Sequence, residues 1–261
     1  RLVDYVRETF LPKVGDKLRD RSGYDSFFYG NFEDNHQRWM TYPALPRYGA
    51  HYAGMRQRIG ILSEAYAYAP YKDRVLVTRD FVHECLILAE KQRDKISKLL
   101  TKASKPVKEV VLKHRLTSFE EKWVAKGVVE KDGKLTDEAK DYLIEYWGKS
   151  APTLSVTLPE AYLIPAGKTK VIELLQCHGV EVQELREDLD LTVTEQTLID
   201  PQTATESFQG HYLVSVPVVG LSEQTRRMSA GTAVVYTDQD LGRLAGFLLE
   251  PQAEDGLTTW G

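Results

Sequence analysis

The most informative segment of this chain reads PRYGAHYAGMRQRIGILSEAYAY and occupies residues 46–68. Within it, Ile59, Ile61 and Leu62 form a short apolar run, which predicts a buried β-strand over residues 58–63. Glu64 follows this run directly, so we expect its carboxylate at the C-terminal end of the strand. That end is where α/β sheets place their ligands, and partial burial there would suit a carboxylate to general acid/base chemistry. The segment therefore predicts an α/β fold with a functional carboxylate at a strand end.

Helical patterns lie on both sides of this segment. Apolar residues recur at helical spacing over residues 2–21, where Pro12 predicts a kink, and again over about residues 80–102. The aromatic residues 24–29 favour a short strand, and residues 30–55, with many glycines, prolines and tyrosines, favour a long loop. The first part of the chain therefore alternates helical and extended structure.

From Val107 onward the pattern changes to short β-type runs separated by turns. A helix is predicted over residues 167–178, with Gly179 as its C-cap. Residues 142–146 alternate like a strand, although residues 136–138 could cap a helix there. We therefore expect two domains: residues 1–105, an α/β part of a mixed-sheet domain, and residues 106–261, a β-rich α+β module. Further candidate strands are 107–116, 122–129, 153–158, 180–185, 189–194, 212–219, 232–236 and 244–249.

Composition excludes several classes of function. The 261 residues are 42% hydrophobic and 28% charged, which is typical of a globular protein. A net charge of −4 indicates neither a nucleic acid nor an anionic membrane as partner. No apolar run approaches the roughly 20 residues that span a bilayer. Cys85 and Cys177 lie in different predicted elements. Their spacing leaves one disulfide open, but two buried free thiols are expected.

The sequence contains no complete metal or nucleophile motif. Its six histidines form no HxxH, HxxE or HExxH arrangement, and there is no CxxC, GxSxG, P-loop or GxGxxG. Glu64 remains the main candidate, and guanidinium and tyrosine groups around it would suit recognition of a carboxylate. A simpler interpretation is that Glu64 pairs with a nearby arginine and has no chemical role. The flanking residues are Arg47, Arg56, Arg58, Tyr42, Tyr48, Tyr52, Tyr66 and Tyr68.

Residues 46–68 closely resemble a bacterial branch of the M14 zinc carboxypeptidases. In that branch a segment of the form PR(F/Y)G-x-x-Y-x-G-x-R-x-R-I-x-(I/V)-L-S-E-x-Y precedes the last helix of the catalytic domain. Further segments of this chain are similar to the same branch, so the resemblance covers nearly its whole length. They are GYDSFFYGNF (23–32), PEAYLIP (159–165), HGVEV (178–182), LGRLA (241–245) and LEPQAEDGL (249–257).

The resemblance implies zinc-dependent removal of C-terminal residues from peptides. In the family, zinc held by two histidines and a glutamate polarises the scissile carbonyl, and a second glutamate transfers a proton from water to the leaving amine. Glu64 matches that second glutamate. An arginine grips the substrate carboxylate and a mobile tyrosine closes over it. The candidate substrate-binding residues are Tyr42, Arg47, Arg56, Arg58 and Tyr66.

The resemblance also implies that the zinc ligands precede Arg1. Residues 1–105 would then be the C-terminal half of the catalytic domain, with the N-terminal half as a partner and residues 106–261 as an accessory module. The chain alone is expected to bind no catalytic zinc and to be inactive, and the family suggests a periplasmic or secreted location. Two alternatives stay open: an amidase or deacylase on the same scaffold, and a non-catalytic binding protein in which the C-terminal module is the working part.

Overall fold

A computed structural model describes residues 2–261 and contains both α-helices and mixed β-sheets, as predicted at this coarse level. The chain forms two compact units, and each takes residues from three separate segments. Unit 1 comprises Arg1–Ala44, Ile59–Ala103 and Arg115–Ala151, and unit 2 comprises Leu45–Arg58, Ser104–His114 and Pro152–Gly261. The predicted domain boundary near residue 105 lies beside one of the points at which the chain passes from one unit to the other.

The helices and strands are numbered in chain order. The helices are α1 (Leu2–Tyr5), α2 (Leu11–Ser22), α3 (Gly49–Met55), α4 (Tyr71–Lys91), α5 (Arg93–Ala103), α6 (Thr169–Cys177), α7 (Gly242–Leu249) and α8 (Leu257–Trp260), and a π-helical turn over Val6–Phe10 joins α1 to α2. The strands are β1 (Asn31–Glu33), β2 (Arg38–Met40), β3 (Glu109–Thr117), β4 (Trp123–Lys131), β5 (Lys134–Trp147), β6 (Lys149–Thr157), β7 (Ala161–Ile164), β8 (Gln183–Glu184), β9 (Leu189–Leu198), β10 (Gln202–Thr203), β11 (Val214–Ser215), β12 (Val218–Met228) and β13 (Ala233–Tyr236).

The helices of unit 1 follow the predicted apolar stripes, apart from a π-helical turn before α2 and an interruption between α4 and α5. Pro12 lies at the start of α2, directly after the π-helical turn, where its missing N–H is tolerated. Gly23 ends α2 in the left-handed conformation, with φ of 75°. Val14 of α2 packs in one apolar cluster with Phe81 of α4. The helix predicted over 80–102 begins earlier than expected and is interrupted at Gln92.

A four-stranded sheet in the order β1-β2-β5-β4 forms the second part of unit 1. Strand β2 runs parallel to β5, and the other pairs are antiparallel. Tyr142, Ile144 and Tyr146 are buried and their neighbours are not, which confirms the alternation of this strand and excludes the alternative helix. Asp132 and Gly133 form the two-residue turn between β4 and β5, and both have positive φ, as a type I′ turn requires.

Unit 2 is built around the antiparallel sheet β7-β13-β8. Helices α6 and α7 contribute Leu175 and Leu244 to the same apolar cluster as Val235 of β13, and all three side chains are fully buried. The two-stranded sheets β9–β12 and β10–β11 also belong to this unit, as do residues 109–114 and 152–157 of the β3–β6 pair. The predicted helix over 167–178 is confirmed as α6, and Gly179 follows it with φ of 82°.

Several local predictions are wrong. Residues 24–29 form no strand, and residues 30–55 contain β1, β2 and α3 instead of one long loop. Residues 59–63 adopt no regular structure, so the strand before Glu64 is absent. The stretch 244–249 belongs to helix α7, most of whose residues are buried, and a short apolar run of this kind does not distinguish a helix from a strand.

Other sequence-based predictions are confirmed only in part. Strand 180–185 shrinks to β8, and 212–219 is divided between β11 and β12. Both cysteines are free, as expected, but Cys177 is exposed. Burial raises the pKa of the Cys85 thiol to about 11. Among residues 2–261, no helix has the length and apolar character that a membrane span requires.

Candidate functional site

Glu64 lies on an irregular segment of unit 1, between residue 58 and the start of α4, and it is exposed. The expected partial burial is therefore wrong. Within residues 2–261 its carboxylate takes part in no hydrogen bond or ion pair, so the simpler interpretation, a pair with a nearby arginine, is wrong as well. The carboxylate is open to solvent, and its catalytic role stays a prediction.

Two of the predicted substrate-binding tyrosines belong to the same unit as Glu64. Tyr66 is 59% exposed, and its ring lies 5.4 Å from the ring of Tyr68. Tyr42 is half-buried and meets the ring of Tyr29 edge-on, with centroids 5.3 Å apart. Tyr66 therefore lies in an accessible aromatic segment close to Glu64 in the chain, whereas Tyr42 packs against another ring.

Arg47 of unit 2 is held by a buried carboxylate and two aromatic rings. Its Nε and Nη2 atoms lie 3.0 and 2.8 Å from Oδ1 of Asp255, and its backbone N–H donates to Oδ2 at 2.7 Å. The guanidinium lies 4.8 Å from the ring centroids of both Phe208 and Trp260. Trp260 also donates from Nε1 to Asp255 at 2.8 Å. A substrate could therefore use this guanidinium only by displacing Asp255, so the arrangement favours a structural role.

Arg56 is likewise engaged within unit 2, where it ties α3 to the end of α6. Its Nη1 donates to the backbone carbonyl of His178 at 2.5 Å and to the hydroxyl of Tyr52 at 3.1 Å. The same hydroxyl lies 2.7 Å from Nδ1 of His178. The hydroxyl donates to Nδ1 when the ring proton is on Nε2 and accepts from Nδ1 in the other tautomer. Burial lowers the pKa of His178, and the charge of Arg56 lowers it further.

Arg58 differs from the other two predicted arginines. It is exposed, and its Nη1 approaches only the backbone carbonyls of Arg56 and Gln57, at 3.5 and 3.3 Å. No carboxylate of the described residues pairs with it. Of the three arginines, Arg58 therefore has the guanidinium most available to an anionic ligand.

The predicted site residues are divided between the two units. Tyr42, Glu64 and Tyr66 belong to unit 1, and the three arginines belong to unit 2. Over residues 2–261 there is no group of three or more histidine, cysteine, aspartate or glutamate side chains that could hold a metal ion. The side chains described here therefore do not fit a catalytic zinc ion.

A cavity in unit 2 was not predicted from the sequence. Its volume is about 460 Å³, and its walls come from β3, β6, the β10–β11 hairpin and residues 251–254. His114 lines it, and the Nδ1 atom of this histidine is buried without a hydrogen-bond partner in the described chain. No sequence signal could have revealed this cavity, because its wall residues are scattered over more than 140 positions, from 113 to 259.

Three histidines of unit 2 predict a loss of stability in mild acid. Burial is the main cause that lowers the pKa of His51, His114 and His178 below the ordinary value of 6.5. The unfolded chain therefore binds more protons near that pH, so the free energy of unfolding should be greatest above about pH 6.5 and should decrease below it. Urea unfolding between about pH 7.5 and 5.5 measures this slope.

The variant that tests this pH dependence is His114→Gln, which removes a half-buried imidazole and should flatten the slope. A free energy of unfolding that stays constant or rises as the pH falls through this window would contradict the prediction.

Comparisons with protein-family models, with curated proteins and with solved structures find no match for this chain. A functional assignment therefore rests on the residues themselves.

Proposed function

We propose that this chain is part of a zinc-dependent carboxypeptidase of the M14 type, with Glu64 as its general base. The observation that carries the proposal is Glu64 itself, in the segment RIGILSEAY, with an exposed carboxylate that no described side chain neutralises. In the M14 mechanism a glutamate accepts a proton from the attacking water molecule and then donates it to the leaving amine, and Glu64 would take that role. The proposal requires zinc ligands from outside residues 2–261.

The second part of the proposal concerns which arginine binds the terminal carboxylate of the substrate. A carboxypeptidase needs a cation for the terminal carboxylate of its substrate, and guanidinium binds carboxylates through two parallel hydrogen bonds. Arg47 and Arg56 are already held inside unit 2, whereas Arg58 is exposed without an acidic partner. Of these three arginines, Arg58 is therefore the one whose guanidinium is open to a carboxylate ligand.

The finer expectation for the fold is part of the same proposal. It assigns residues 1–105 to a zinc-carboxypeptidase-like domain and residues 106–261 to an accessory module. It does not account for β4 and β5, which share unit 1 with residues from the first hundred of the chain.

The proposal is tested with the full-length protein and a pair of peptides that differ only at the C-terminus. A peptide with a free carboxylate should lose residues one at a time from that end, as followed by mass spectrometry. The same peptide with a C-terminal amide should be resistant, because it lacks the charge that an arginine would bind. A chelator should stop the reaction and added zinc should restore it.

The alternatives give different results in the same assay. Cleavage of the amidated peptide at an equal rate, or release of acyl groups or cell-wall peptides instead of C-terminal residues, would favour an amidase or deacylase. Absence of any hydrolysis with zinc present would favour a non-catalytic binding protein. Either result would overturn the carboxypeptidase proposal.

A further inference from the structure

The cavity of unit 2 has walls of mixed character. Lys113 and His114 lie on β3, Thr153 lies on β6, and the β10–β11 hairpin and residues 251–254 contribute the remaining walls. Its volume of about 460 Å³ falls within the range of small-molecule sites, roughly 300–1,000 Å³. The cavity is therefore large enough to enclose a small polar ligand.

Two charges of opposite sign line this cavity, and the one recorded neighbour of either charge is His114, whose pKa the Glu254 carboxylate raises less than burial lowers it. Lys113 contributes an ammonium group and Glu254 a carboxylate. Within the described part of the chain, neither side chain forms an ion pair or a hydrogen bond, with the other or with any third group. Each charge is thus free to pair with a group of a ligand.

The other lining residues are in part apolar and in part polar without charge. Thr153, Gln202, Thr203, Ser215 and Gln252 provide hydroxyl and amide groups. Burial lowers the pKa of His114 by more than the Glu254 carboxylate raises it, so at neutral pH this ring adds a donor or an acceptor and no further charge. No phenylalanine, tyrosine or tryptophan is among the described lining residues, so the cavity offers no stacking face for a sugar or a nucleobase.

We propose that this cavity binds a small zwitterion, a free amino acid or a short peptide, with its carboxylate toward Lys113 and its ammonium group toward Glu254. A ligand with a single charge would pair with one of these two side chains and would leave the other unpaired. The two charges together therefore select a zwitterion over a simple anion or cation. The site involves neither Glu64 nor Arg58, so it is independent of the proposed hydrolysis.

The direct test is a calorimetric titration of this chain with the dipeptide alanyl-alanine in three forms. The form with both termini free should bind saturably. N-acetylation removes the ammonium charge and C-amidation removes the carboxylate charge, so each should weaken binding by about tenfold or more, the scale of one lost charge-assisted hydrogen bond. No saturable binding of the free dipeptide, or equal binding of all three forms, would overturn the proposal.

Two substitutions assign each end of the ligand to its wall. Lys113→Met should weaken binding of the free dipeptide about tenfold and should remove the difference between its free and amidated forms. Glu254→Gln should do the same for the free and acetylated forms. Both side chains are at least partly accessible, so thermal unfolding should show both variants folded as the parent chain is.

The matched controls are Lys108→Met and Glu109→Gln. Both residues are exposed in the same segment of unit 2 and do not line the cavity. They should bind the free dipeptide as the parent chain does. If the control variants lose as much affinity as the cavity variants, general surface charge explains the binding and the proposed site is wrong.

Discussion

Replacement of Asp255 by alanine is expected to lower the free energy of unfolding of unit 2 by about 3–5 kcal/mol. The Asp255 side chain is only 2% exposed and accepts hydrogen bonds from the backbone and guanidinium of Arg47 and from the indole of Trp260. Its loss would leave a guanidinium whose side chain is 16% exposed, against two rings and without a counter-charge. An unpaired charge in such a position costs far more than the pair contributes.

Two further variants separate this effect from a general loss of charge. Asp255→Asn keeps the shape of the side chain and removes its charge, so we expect an intermediate loss. Asp190→Ala breaks the pair with Arg227, in which both side chains are about 60% exposed, and should cost at most about 1 kcal/mol. Urea unfolding followed by tryptophan fluorescence and circular dichroism measures all three. An Asp255→Ala chain within about 0.5 kcal/mol of the parent would refute the role of this clamp.

Replacement of Glu64 by glutamine in the full-length protein is expected to lower kcat for peptide hydrolysis by about 10²–10⁴-fold, the usual contribution of a general acid/base. The amide keeps the size of the side chain but cannot accept the proton of the attacking water. Because Glu64 is exposed and unpaired in the described chain, the free energy of unfolding should change by less than about 0.5 kcal/mol. A large loss of activity with unchanged stability would therefore report chemistry and not folding.

The matched control is Glu121→Gln, which changes another exposed glutamate in an irregular segment of unit 1. It should leave kcat unchanged. Full activity of the Glu64→Gln protein would show that the assignment of Glu64 is wrong. A fall in KM with unchanged kcat would also exclude a role in proton transfer, because general bases act on the chemical step.

The parts of the fold that could be predicted are those with local periodicity. The alternation of Tyr142, Ile144 and Tyr146 predicts β5, and the sheet buries these three side chains as expected. The apolar stripe of residues 2–21 predicts α2, and Gly23 ends the helix where a C-cap is expected. Such patterns give correct predictions because the buried face of a helix or strand is determined by residues within that one element.

The strand predicted before Glu64 is wrong because a short apolar run does not show whether a second strand will pair with it. Ile59, Ile61 and Leu62 have the composition of a buried strand, but no neighbouring strand pairs with them in the structure, and Leu62 is 49% exposed. A strand is stabilised by hydrogen bonds to a second strand, which a local pattern cannot supply. The expected burial of Glu64 depended on that strand and was lost with it.

The arrangement of the candidate site could not be predicted for a related reason. Arg47 was predicted to bind substrate, yet its partner Asp255 lies 208 positions further along the chain. Arg47, Arg56 and Arg58 lie in the same segment, and the sequence does not distinguish their roles. Only the long-range contacts of Arg47 and Arg56 in the structure distinguish them from Arg58. Lys113 and Glu254 likewise meet at one cavity because of the fold and not because of any motif.

The interleaving of the two units has a consequence for synthesis on the ribosome. The residues of this sequence that belong to unit 1 have all been added once Ala151 is in place, whereas Leu45–Arg58 and Ser104–His114 must wait for the segment that starts at Pro152 before they can pack with it in unit 2. During that interval the nascent chain carries two segments whose partners in the folded protein have not yet been synthesised. The guanidinium of Arg47, for example, lacks its partner Asp255. A pause in translation over residues 152–261 would thus leave the same two segments exposed to chaperones and proteases. They would become protected only when residues 152–261 have left the ribosome and unit 2 has folded.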